Sequence, residues 1–181
     1  MLTANLFCAA VIALGIGGGN SPETSRACQY MEHIVEEARR NNIRPAIMIA
    51  LIHHESRFDP NAHSHAGACG LTQILPRYTG SSKTRVPRLT CSDLYDPHTS
   101  ITMGARTLSF WYRTYGRNRN LRVALCGYNA GYRCKLPRNA AEGQRLTRAG
   151  RSGMSYARNV MRTASRIERR AQILSRQPAR K

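Results

Sequence analysis

The chain has 181 residues, 41% of them apolar, which suits one folded domain with a real core and excludes a disordered polyelectrolyte. After residue 20 no apolar run approaches the roughly 20 residues of a membrane span, which excludes a multi-span membrane protein. The formal charge of +18 is lopsided, +2 over residues 1–112 and +16 over 113–181, so the C-terminal third calls for a polyanionic partner: wall polymer, anionic lipid or nucleic acid.

Leu6 to Leu14 form a short apolar run, which Gly15 to Asn20 break. Its length fits the core of an export signal, although no Lys or Arg precedes it and no small-x-small cleavage site follows. The competing reading is an N-terminal helix buried in the protein or packed in a virion. Residues 1–20 are therefore set apart as an export or N-terminal apolar segment, with 21–27 as a polar linker.

A helix is expected from about Ala27, because Met31, Ile34, Val35 and Ala38 recur on one helical face; Asn41-Asn42 end it. Pro45 opens the next helix, which runs through Ile47 to Ile52 and stops before Asp59-Pro60. Residues 61–96 are rich in Gly, Pro, Ser and Thr and read as loop with short helices and a small β element, suited to form cleft walls. A helix resumes near Ser100, with Ile101, Ala105, Leu108, Trp111, Tyr112 and Tyr115 as its stripe and Gly116 as its end. Leu121, Ala124, Leu125 and Tyr128 mark a shorter one. The last helix spans about Gly153 to Arg176, apolar along Ala157, Val160, Met161, Ala164, Ile167, Ala171 and Leu174, and projects beyond the domain as a basic extension, residues 166–181. The fold is expected to be mainly α.

Of six cysteines, Cys8 lies inside the apolar run, and no pair has the C-x-x-C spacing of a zinc or redox site. In an exported protein Cys28, Cys69, Cys91, Cys126 and Cys134 form up to two disulfides, with the last four as candidates; in a reducing compartment they are small buried hydrophobes. Spacing does not fix the pairing.

Met48, Leu51, Ile52 and Glu55 fall at helical spacing, so Glu55 sits on an apolar face at a helix C-terminus. Burial and the negative end of the helix dipole both favour its protonated form, which a general acid needs. From spacing alone, a Glu reaching solvent at the helix end is the plainer reading. His53, His54, His63 and His65 crowd the same region without a carboxylate cluster, so neither metal nor cofactor is expected.

Glu55-Ser56, then Asp59-Pro60-Asn61-Ala62, then Gly67-Ala68-Cys69-Gly70-Leu71-Thr72-Gln73 with Pro76, resemble the soluble lytic transglycosylase domain (glycoside hydrolase family 23). Gly127-Tyr128-Asn129-Ala130-Gly131 resembles that family's Ala-Tyr-Asn-Ala-Gly, and Asp96-Pro97, Ile101 and Gly104-Ala105 match its preceding helix; Tyr156 with Val160 is a weaker third match. The blocks occur in the family's order over residues 28–165.

The resemblance implies a lysozyme-like single domain with a sugar cleft that cuts the bond between N-acetylmuramic acid and N-acetylglucosamine in peptidoglycan and closes a 1,6-anhydro ring. Carried over, Glu55 is acid and then base. Ser64, Gln73, Tyr128, Asn129 and Tyr156 contact substrate or orient Glu55, and Ser56, Gly70, Leu71 and Thr72 shape the cleft. Thr72 stands for the family's Met, Gly127 for Ala and Ser100 for Asn. A hydrolytic lysozyme is the nearest rival and needs a second carboxylate, for which Asp59, Asp93 and Asp96 are the candidates. A basic nucleic-acid-binding or virion protein is the rival from another class; the +16 C-terminal third argues for it, and the lack of a binding motif with only three Phe for stacking argues against it. The expectation is an exported monomer in the periplasm or cell envelope, or alternatively in a phage virion, and the charge of the basic third points to an anionic wall polymer or membrane surface rather than to nucleic acid.

Overall fold

The computed structural model describes residues 1–18, 21–80, 86–115, 120–134 and 148–177, and among them no β-strand forms. The helices are α1 (Ala4–Ala13), α2 (Pro22–Gln29), α3 (Met31–Arg40), α4 (Pro45–Ser56), α5 (Cys91–Tyr95), α6 (Pro97–Thr114), α7 (Leu121–Ala130) and α8 (Arg148–Ser175). None is long and apolar enough to cross a membrane.

Local chemistry starts most of them. Ser21, Asp96 and Asn120 each accept a hydrogen bond from the first turn that follows, and Thr90 with Asp93 forms a reciprocal capping box at α5. The segment read as a linker, 21–27, is helical from Pro22, because Ser21 caps it and Pro22 tolerates the first turn. Tyr30 then divides it from α3, whose buried residues include the four predicted from periodicity. Gly116 and Asn20, read as helix and run breakers, lie outside the described residues.

α4 forms the centre of the core. Ala46 through Ile52 are buried all round, since α3 packs on one side and α8 on another. A helix surrounded in this way needs no polar face. It ends at Ser56, where Arg57 and Phe58 both adopt left-handed backbone and turn the chain into the loop.

The N-terminal apolar run is helix α1, packed against α8 and α3, with Phe7, Ala10 and Val11 buried. α8 does not project from the domain. Ile167 and Ala171 are fully buried in the same core, so the stretch from 166 to Leu174 is body rather than tail.

Three disulfides form, Cys8–Cys28, Cys69–Cys91 and Cys126–Cys134. The expectation of up to two, without Cys8, is corrected: helix α1 presents Cys8 to α2, a proximity that its place in an apolar run does not reveal. The loop after α4 has a small core of its own, Cys69, Ile74, Val86, Leu94 and Met103. The expected β element reduces to two isolated antiparallel bridges, His63 with Cys69 and Cys69 with Ile74.

Candidate active site

Glu55 occupies the last turn of α4, and its partly buried carboxylate meets Tyr156 of α8, whose hydroxyl donates to Oε1 at 2.5 Å. Burial pushes the carboxyl up to about 7; the Tyr156 hydrogen bond opposes this by favouring the charged form. At neutral pH the group is poised between donor and acceptor, as acid and base work by one residue requires.

The wall beside Glu55 is built from a tyrosine and a backbone. Tyr128, near the end of α7, donates its hydroxyl to the Thr72 carbonyl at 2.7 Å. Burial, then the charge of Glu55, hold the Tyr128 phenol well above its ordinary range, so it stays neutral. Tyr156 is held high by the same two causes and by its hydrogen bond to Glu55.

The loop from Ala62 to Ile74 is fixed from several directions. Ser56 Oγ donates to the Leu71 carbonyl at 2.8 Å, tying the end of α4 to the loop. Gly70, at φ +76°, donates its N–H to the Ala62 carbonyl and lies against the Leu94 carbonyl. Gln73, also left-handed at φ +50°, uses its side-chain nitrogen on the Ala62 and Gly70 carbonyls, both at 3.0 Å. Ser64 Oγ accepts from the Ala68 N–H at 3.0 Å and shapes the turn. Asn129 is exposed on the last turn of α7.

Two expected cleft-shaping side chains are core residues instead. Leu71 and Thr72 are both fully buried. Thr72 Oγ1 donates to the Ser100 carbonyl at 2.8 Å, and its N–H donates to Ser100 Oγ at 3.2 Å. The departures at Thr72 and Ser100 are thus one local solution, a buried hydroxyl pair, and the Thr72 carbonyl is what Tyr128 meets. The departure at Gly127 has a partner too: the Trp111 ring fills the space where an alanine methyl would stand, only 2.4 Å from the ideal Cβ position.

The structure therefore brings Glu55, Tyr156, Tyr128 and the Thr72 carbonyl together. It places Ser64 and Gln73 in the adjoining loop and Asn129 on the rim of α7. It adds His54, which sequence reasoning weighed only as a metal ligand. His54 Nε2 lies 3.0 Å from Thr163 Oγ1, and its ring stands edge-on to Tyr156 at 6.4 Å. Burial, then the neighbouring His53, lower its pKa. Thr163 was findable in principle, because it stands seven residues after Tyr156 on the same helical face. His53 faces Glu23 at 3.1 Å, and the donor atoms of His63, Cys69 and Cys91 lie within 4.8 Å of one another, with both sulfurs taken by their mutual disulfide.

Tyr156→Phe is expected to raise the Glu55 pKa further, since the lost hydroxyl favours the carboxylate. The alkaline limb of the pH–activity profile then moves upward while kcat falls; an unmoved limb removes Tyr156 from the titrating unit.

The chain matches the family model "Transglycosylase SLT domain" over residues 32–149. It is 31% identical over 108 residues to a soluble lytic murein transglycosylase of Salmonella typhimurium, covering 56% of this chain and 16% of that protein. It is 40% identical over 55 residues to a membrane-bound lytic murein transglycosylase C of Actinobacillus pleuropneumoniae, covering 30% of this chain and 15% of that one. Among solved structures it is similar to an inactive Glu-to-Gln variant of the lytic transglycosylase Slt from Pseudomonas aeruginosa, with TM-score 0.60, 25% identity, and 80% of this chain against 24% of that one. The fold also matches the 70 kDa soluble lytic transglycosylase of Escherichia coli, with TM-score 0.59 and 21% identity, over 93% of this chain and 29% of that one. The chain spans under a third of the length of each of these relatives.

Proposed function

Because the chain belongs to the transglycosylase SLT domain family, with the lysozyme-like helical fold, we propose that it cleaves peptidoglycan between N-acetylmuramic acid and N-acetylglucosamine without consuming water. One observation carries the reading: a partly buried Glu55, its pKa raised to about 7, held by a tyrosine hydroxyl. Protonated Glu55 donates to the leaving glycosidic oxygen. As carboxylate it then takes the proton of the muramic C6 hydroxyl, which attacks C1 and closes the 1,6-anhydro ring. The substrate's acetamido oxygen stabilises the cationic centre between these steps, so a single enzyme carboxylate suffices.

The expected second carboxylates are occupied elsewhere. Asp59 accepts the Asn61 N–H, Asp93 completes the α5 capping box, and Asp96 caps α6. Hydrogen bonds to Thr90 and to Thr99 hold Asp93 and Asp96 below the ordinary carboxylate range. That pattern favours ring closure over hydrolysis, which needs a second carboxylate to position water.

In this reading Gln73, whose side-chain nitrogen is committed to the loop, turns its carbonyl oxygen to the sugar, and Ser64 and Asn129 contact the acetamido and rim sides. The three disulfides suit an oxidising compartment and support a reading in which the enzyme works in the cell envelope or outside the cell. Mass spectrometry of products from purified peptidoglycan is the test. Fragments ending in 1,6-anhydro-muramic acid are expected; fragments with reducing muramic ends make the protein a lysozyme.

A further inference from the structure

α8 carries far more positive charge than the proposed chemistry uses. At 100° per residue, Arg151, Arg158, Arg162, Arg166 and Arg169 fall within about 80° of arc and extend roughly 27 Å along the helix. All five are exposed, and Arg176 continues the row past the helix end. The opposite face, Ala157, Val160, Ala164, Ile167 and Ala171, is buried in the core. Among the described residues Arg158 and Arg162 donate to the neighbouring Ser155 and Asn159 side chains, and Arg169 to the Ser165 carbonyl. The helix's one acid between 151 and 175, Glu168, pairs instead with Arg44 of α4's entry.

At its upper end the row borders an open pocket of about 520 Å³, lined by Asn120, Arg122, Val123, Arg151, Met154, Ser155 and Arg158. By helical geometry the mean direction of the row lies roughly 130° round α8 from Tyr156, while Arg162 still stands near enough to His54 to help lower its pKa.

We propose that this surface binds the free carboxylates of peptidoglycan peptides on strands next to the one being cut, tethering the enzyme to the wall. The choice of ligand rests on the wall-cleaving reading above. Four further observations support it. The row is built of arginine with no lysine, and guanidinium forks suit carboxylates bidentately. The apolar face of α8 is spent on the core, leaving Ile173 as the exposed large apolar residue of the helix, so little remains to insert into a bilayer. No aromatic side chain stands in the row on which a nucleic-acid base could stack. A concave pocket flanked by three arginines also admits a peptide end, which a flat bilayer surface cannot supply.

The test uses the full chain carrying Glu55→Gln, which leaves the wall intact, and sacculi stripped of accessory polymers. Co-sedimentation is compared for native sacculi and for sacculi whose carboxyls are amidated. The triple variant R122Q/R158Q/R169Q is made in the same background, with thermal unfolding as the check on folding. Amidation and the triple variant are each expected to weaken binding at least tenfold. The slope of log affinity against log salt should fall by ~2, about 0.7 per lost contact as for flexible polyanions. Undiminished binding to amidated sacculi, or by the folded triple variant, overturns the proposal. So does tighter binding of a single-stranded oligonucleotide or of anionic vesicles than of native sacculi at equal salt. With Glu55 restored, the triple variant should slow on sacculi and keep its rate on soluble uncrosslinked glycan. Carboxylate-dependent binding without anhydro products would leave the tether standing and remove the cleavage reading.

Discussion

Glu55→Gln is expected to lower the release of anhydro-muropeptides by roughly 10³–10⁴-fold, the upper range for loss of a general acid–base group, because the same carboxyl serves both steps. Glutamine preserves shape and still accepts the Tyr156 hydrogen bond, so folding should survive. The variant should in fact be more stable than the parent at alkaline pH. In the unfolded chain the carboxyl ionises near 4.5, and in the folded protein near 7, so the folded state holds the extra proton across that window. Stability contributed by this group is therefore complete below about 4.5 and falls as pH rises through 7. With the carboxyl partly exposed, the advantage of the variant at pH 8 is of order 1–3 kcal/mol, vanishing at pH 4. Thermal unfolding at the two pH values reads the difference, and product release reads the catalytic loss. A variant that keeps a tenth of the activity, or gains no stability at pH 8, places the acid elsewhere.

Gly70→Ala should be the most damaging conservative change in the loop. An added Cβ would stand 1.9 Å from the Leu94 carbonyl oxygen, a backbone atom, and the residue is already at φ +76°. Neither the loop nor α5 can withdraw easily, because the Cys69–Cys91 disulfide joins them. The expected cost is about 3–5 kcal/mol, enough to abolish soluble protein or lower Tm by more than 10 °C. Gly67→Ala supplies the contrast. It has a similar φ of +82° but nothing within 4 Å of the new Cβ, so only the left-handed backbone cost, roughly 1–2 kcal/mol, should appear. Equal Tm losses for the two would show that backbone conformation, and not the contact with Leu94, fixes this loop.

Much of the site was legible in the sequence for a physical reason. Helical spacing put Glu55 on the buried face of α4, and short motifs with fixed spacing, Gly70 to Gln73 and Tyr128 to Gly131, mark turns whose shape depends on near neighbours. What spacing missed lies between distant segments. Tyr156 reaches Glu55 across 101 residues, and no local pattern measures that. Thr72 looked like an altered cleft residue because its partner, Ser100, lies 28 residues away. Cys8 was set aside because an apolar run before a glycine-rich break has the same composition whether it leaves the protein or joins its core. The all-round burial of α4 was equally hidden, since the polar residues at its ends give the pattern of a one-faced helix.

The packing of α1 against α8 has a consequence for what holds the molecule closed. Helices α1 and α8 close on one another, so this part of the core joins residues far apart in sequence. The three disulfides, by contrast, span only 20, 22 and 8 residues. Each therefore constrains a local stretch of the unfolded chain, and none joins α1 to α8. The covalent cross-links thus stiffen local segments, while the closure of α1 on α8 is held by non-covalent packing.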